Sequence, residues 1–94
     1  MTDTEILVAL KHDLQIATTS LDTYLGEIIS LAKRAISTEG ITLANDIPDG
    51  MLVEQYAAFL YRKRREEVYA MPRYLRWMLN NRVFSEKAKV ENGD

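Results

Sequence analysis

The chain has 94 residues, 47% of them hydrophobic and 28% charged, with no cysteine and one histidine. A chain of this length closes one small core and buries about 60–70% of its unfolded surface, which excludes a two-lobed enzyme with a cleft between domains. The absence of cysteine excludes disulfide scaffolds and cysteine-ligated zinc. The lone His12 excludes multi-histidine metal sites, and no apolar run reaches the ~18 residues of a membrane span. The opening Met-Thr-Asp-Thr-Glu is acidic where a signal peptide is basic, so the expected location is a cytoplasm, or wherever an assembly carries the chain.

The net charge of −2 is unevenly spread. Residues 1–50 carry eight acidic and three basic side chains, whereas residues 51–94 carry nine basic and six acidic. Within 62–82 there are seven Arg or Lys against Glu66 and Glu67. Such polarity suits a protein seated between unlike surfaces or stacked on copies of itself.

Helical periodicity dominates, and the expected fold is all-α, a compact bundle of about four helices spanning approximately 4–14, 20–39, 51–69 and 72–84. Thr2 and Glu5 have capping-box spacing and open the first helix, whose apolar members are Ile6, Leu7, Ala9, Leu10 and Leu14. Ser20 or Thr19 is the expected N-cap of the second. Leu21, Tyr24, Leu25, Ile28, Ile29, Leu31, Ala32, Ala35 and Ile36 then fall within an arc of about 160°, and Gly40 supplies the left-handed end.

Residues 41–50 read as a loop with a turn at Pro48-Asp49-Gly50, part of it laid along the core through Ile41, Leu43 and Ile47. The third helix begins near Met51 with an apolar face of Leu52, Val53, Tyr56, Ala57, Phe59 and Leu60. From Arg62 to Glu67 it is charged all round, so its end is expected to leave the core and project. Pro72 opens the fourth helix, with Tyr74, Leu75, Met78 and Leu79 facing in and Arg73, Arg76, Trp77 and Asn80 facing out. Residues 1–84 thus form one helical domain, and 85–94 a polar C-terminal extension without a core pattern.

The strongest functional feature is the basic run Arg62, Lys63, Arg64 and Arg65 with Arg73 and Arg76 beyond it. Arginine forks suit phosphate or carboxylate partners, while Arg62–Glu66 and Lys63–Glu67 have the i,i+4 spacing of a self-neutralised helix end. A helix-turn-helix fits poorly, because the 41–50 loop is longer than that motif's turn and the arginines close a helix rather than open one. Trp77 points away from the apolar stripe of its own helix, with Arg73 one turn before it. Exposed, it is an interface anchor; the alternative is that the first helix or the C-terminal segment folds over it. His12 lacks a second ligand, Glu66 and Glu67 diverge by about 100° on a helix, and the four glycines form no phosphate loop. No catalytic set, metal site or cofactor site is expected.

The order of elements nevertheless carries a likeness. A short helix with Leu10-Lys11 leads to a long amphipathic one ending Ala32-Lys33-Arg34-Ala35-Ile36, then to a loop closing on Asp49-Gly50. An apolar helix Leu52-Val53-Glu54-Gln55-Tyr56-Ala57-Ala58-Phe59-Leu60-Tyr61 runs into arginines, and Met71-Pro72-Arg73-Tyr74-Leu75-Arg76-Trp77-Met78-Leu79-Asn80-Asn81-Arg82 ends the series. Over roughly residues 4–84 this resembles the small all-helical head–tail connector (adaptor, or head-completion) proteins of tailed bacteriophages.

The resemblance implies a structural virion protein assembled in a bacterial cytoplasm. It would form a ring, usually of twelve copies, beneath the portal at the head–tail junction. It would join the portal to the next connector or tail protein and continue a channel through which DNA passes without sequence-specific binding, with no membrane involved. The 85–94 extension would be ordered against a neighbouring subunit or the portal. The residues expected at these interfaces are Arg62, Arg64, Arg65, Arg73, Arg76, Trp77, Lys87 and Lys89. A rival from another class is a small helical nucleic-acid-binding regulator that uses the basic 62–76 region.

Overall fold

A computed structural model describes residues 1–91, and among them are four helices, α1 (Asp3–Leu14), α2 (Asp22–Thr38), α3 (Ile47–Arg64) and α4 (Arg73–Glu91). The all-α bundle expected from the sequence is present. The α3 helix is the central element, packing against α1, α2 and α4. Among the described residues, no helix is long and apolar enough to cross a membrane.

Local chemistry sets the helix ends. The Thr2 hydroxyl accepts the Glu5 N–H at 3.1 Å and the Glu5 carboxylate accepts the Thr2 N–H at 2.8 Å, a complete capping box. Glu5, so held, has its carboxyl below the ordinary range because it accepts the Thr2 backbone N–H. Gly40 takes the left-handed conformation at φ +95 just past the end of α2, as its position predicts.

Three boundaries differ from the expectation. Leu21 precedes α2 without a side-chain cap, so neither Thr19 nor Ser20 serves; their region is a turn in which the Thr18 and Ser20 hydroxyls bond each other at 3.0 Å. The α3 helix begins at Ile47, four residues early, because Asp46 accepts the Asp49 N–H at 2.9 Å and Pro48 occupies the first turn. It also stops at Arg64 rather than 69. There Arg65 and Glu67 N–H groups return to the Tyr61 and Arg62 carbonyls, and Glu66 is left-handed at φ +61. The basic run therefore closes a helix and turns back instead of projecting.

The fourth correction is the C-terminal segment. Residues 85–91 continue α4 rather than forming a separate extension, because no residue from Ser85 to Glu91 is Gly or Pro and the sequence keeps good helix formers such as Glu86, Lys87, Ala88 and Lys89. The remainder of that expected extension, 92–94, lies outside the described residues.

The core joins Ile6 and Leu10 of α1, Leu25, Ile28, Ile29, Ala32 and Ile36 of α2, Leu52, Val53, Ala57 and Ala58 of α3, and Leu75 and Leu79 of α4, with Ile41 from the loop. Three expected core residues are instead exposed: Leu31, Ile47 and Tyr74. Leu31 sits at the edge of the apolar arc of α2, Ile47 opens α3 on its outer side, and the Tyr74 hydroxyl donates to Gln55 Oε1 at 2.7 Å on the surface. Among the described side chains of α4, Met78 and Val83 also pack against the core as partly buried residues.

Candidate interaction surface

The expected basic cluster divides into two groups. Three of its arginines are engaged within the molecule. Arg62 donates to the Asp13 carbonyl at 3.4 Å and stands 3.8 Å from its carboxylate, tying the end of α3 to the end of α1. Arg65 donates to Glu67 at 2.9 Å and to the Tyr61 hydroxyl at 3.3 Å, and lies over the Tyr61 ring. Arg76 grips both oxygens of Glu39 at 2.9 and 3.0 Å, joining α4 to the end of α2. These contacts replace the Arg62–Glu66 and Lys63–Glu67 pairs, which need a helical 66–67 that the turn removes.

The second group is free of such pairing. Arg64, Arg73, Lys87 and Lys89 are exposed and make no ion pair among the described residues. Trp77 is 66% exposed and Phe84 is 74% exposed. Neither α1 nor the C-terminal part of α4 covers the indole, since α1 packs on α2 and α3 and α4 stays helical past Phe84. The two cation–ring contacts among the described residues are Lys63 over Phe59 and Arg65 over Tyr61, so Arg73 does not stack on Trp77.

Helical spacing places Arg73, Trp77, Asn80, Asn81, Phe84 and Lys87 along one outward stripe of α4. Between Val68 and Ser85 the sequence holds no carboxylate. The result is an aromatic and cationic face, uncovered by the other described residues. Beside it, between α4 and the start of α3, runs a groove of about 250 Å³ whose walls include Trp77, Met78, Pro48 and Leu52.

What holds this face in place escaped the sequence reading. Arg82, on the inner side of α4, donates through Nε and Nη2 to the two oxygens of Asp49 at 3.0 and 3.2 Å, and through Nη2 to the Thr42 carbonyl at 2.7 Å. Its Nη1 lies 2.8 Å from Glu86, pairing by charge without the alignment of a hydrogen bond. Glu86 in turn accepts the Thr42 N–H at 3.1 Å, and Asp49 accepts the Ala44 N–H at 2.7 Å. Burial works to raise the Asp49 carboxyl, but the Arg82 guanidinium and the Ala44 N–H outweigh it and hold it below the ordinary range. The signal was available as an Arg with i+4 Glu on a helix whose other inward positions are apolar.

A second buried acid also went unread. Glu54 is 2% exposed in the middle of α3. Desolvation, then a hydrogen bond with Asp13 and the charge of that carboxylate, push its carboxyl up to about 8, against the opposing effects of Gln55 and Arg62. This environment favours the neutral form of the carboxyl, which accepts from Gln55 Nε2 at 2.7 Å. A groove of about 560 Å³ at the end of α1 is walled by Val8, Lys11, His12, Gln15, Ile16 and Ala17; its Lys11 is already paired with Asp22 at 2.7 Å.

The chain has no significant match among protein-family models, characterised proteins or solved structures.

Proposed function

We propose that the protein is a structural connector: a subunit of an oligomeric ring beneath a phage portal, twelve copies by the family resemblance, joining the head to the tail and continuing its DNA channel. The observation that carries this reading is the outward face of α4. A large aromatic such as Trp77 left in water on a rigid helix is the usual anchor of a protein interface, and Phe84 two turns on extends it. Arg73, Lys87 and Lys89 add positive charge that suits an acidic neighbouring surface, either another copy or the portal.

The opposing reading, a nucleic-acid-binding regulator, relies on the 62–76 arginines. Arg62, Arg65 and Arg76 are committed to Asp13, Glu67 and Glu39, which leaves Lys63, Arg64 and Arg73 as the cations of that region for phosphate. That is a small set for duplex binding, whose affinity grows with each phosphate neutralised.

Charge reversal separates the two. The double variant R64E/R73E keeps every internal ion pair, so the fold is expected to survive. A connector loses co-sedimentation with its portal or with itself, while the wild type shows little affinity for free duplex DNA. If the wild type instead binds duplex tightly, with a log–log salt slope near −0.9 for each phosphate contacted, and the variant loses that binding, the regulator reading replaces this one.

A further inference from the structure

Gly26 lies in the interior of α2, where a glycine weakens the helix by its extra backbone freedom. Among the described residues nothing requires it. Its backbone is ordinary helix, and a Cβ built there meets no atom within 4 Å. The space in front of it is a groove of about 160 Å³ between α1 and α2, with Leu7 and Ile29 as its apolar lining and Asp3 and Thr4 at its edge. A small residue at an open notch fits the close approach of a group from another chain.

The molecule carries an unmatched group of the right kind. Trp77 stands 66% exposed on α4, a helix that packs on α3 rather than on the α1–α2 groove. The charges are complementary. The α1 and α2 helices together hold five acidic residues against three Lys or Arg, whereas α4 holds five basic residues against two acidic. Glu27, next to the notch, is exposed and makes no ion pair among the described residues, and Arg73, one turn before Trp77, is likewise unengaged.

We propose that the Gly26 groove receives Trp77 from a second copy of this chain, with Arg73 of that copy facing Glu27. The proposal rests on the ring reading above and deepens it by naming the repeating contact. Knob and notch lie on different faces, so each copy gives one and takes one. That contact is heterologous, the kind that closes into a ring when its rotation permits. It also accounts for the absence of a bulkier residue at position 26: any side chain would fill the space the indole needs.

Trp77 is the only tryptophan in the chain, so its own fluorescence reports the contact. The wild type, Gly26→Ala, Gly26→Leu and Trp77→Ala are compared by native mass spectrometry, alone and with the candidate portal, alongside emission spectra and thermal melts. The wild-type emission is expected to shift to the blue on assembly. Gly26→Leu and Trp77→Ala are each expected to weaken self-association about tenfold or more. Gly26→Ala, freed of the glycine's entropy, is expected to raise Tm by roughly 4–8 °C, showing that the site is not needed for the monomer's fold.

Self-association of Gly26→Leu equal to wild type, or assembly without an emission shift, overturns the contact and leaves the ring standing. Rings that form normally in Trp77→Ala but no longer hold the portal place the indole on the portal, which also overturns it. A wild-type chain that stays monomeric even with the portal overturns both the contact and the ring.

Discussion

Arg82 and Asp49 form a forked, mostly buried ion pair between the inner face of α4 and the first turn of α3, closed at 3.0 and 3.2 Å. It matters because, among the described side chains, α4 contributes Leu75 and Leu79 as its fully buried residues. The ion pair adds to that apolar seat, and to the Arg76–Glu39 and Tyr74–Gln55 contacts, in fixing the register of α4 and hence where Trp77 and Phe84 point. Removing one member of a buried pair strands the other, which costs about 3–5 kcal/mol in well-buried cases. Arg82 keeps some solvent contact, so R82A is expected to cost about 2–4 kcal/mol in urea unfolding. R82K should recover little of this, because one ammonium cannot serve Asp49 and the Thr42 carbonyl with a planar fork.

The two buried acids act in opposite directions with pH. Asp49 has a lowered folded pKa, so its contribution is present above the unfolded value near 3.9 and is lost as pH falls through the folded value. Glu54 has a raised folded pKa of about 8, so the folded state retains a proton that the unfolded chain releases near 4.3. Its effect on stability is most favourable below that unfolded value and declines as pH rises toward and through 8. Tm should therefore fall between pH 6 and 9, and E54Q, which keeps a neutral hydrogen-bonding group, should flatten that fall. On the order of 1–3 kcal/mol is expected at pH 9. Melts of E54Q that track the wild type across this range would contradict the assignment.

Core and surface positions of α4 should separate cleanly. L79A removes a fully buried side chain and is expected to cost about 2–5 kcal/mol. F84A and W77A, whose side chains stand in water in the monomer, should stay within about 0.5 kcal/mol of wild type. Their effect belongs to assembly, and loss of self-association without loss of Tm is the expected pattern.

Where sequence pattern and local physics coincide, the fold was legible. The capping box of Thr2 and Glu5, the stripe of α2 and its glycine end each depend on residues a few positions apart. So did the outward position of Trp77. The early start of α3 was also written locally, in Asp46 and Pro48, but the Pro-Asp-Gly turn signal beside them competed and misled. What could not be read was long-range polar pairing. Nothing in the spacing of Arg82 and Asp49, 33 residues apart, announces their contact, and the same holds for Arg76 with Glu39. A run of arginines looks like one surface in sequence. Folding assigned Arg62 and Arg76 to carboxylates of other helices and left Arg64 and Arg73 outside. Glu54 was hidden for a related reason: an acid within an apolar helix has no visible partner until α1 brings Asp13 beside it.

The most direct measurement is native mass spectrometry of the wild-type chain, alone and with its candidate portal, across a salt series. The connector account predicts a closed oligomer or a portal-bound multimer of fixed stoichiometry, weakened as salt screens the charged faces. A chain that remains a monomer in the presence of the portal and instead binds duplex DNA would contradict it.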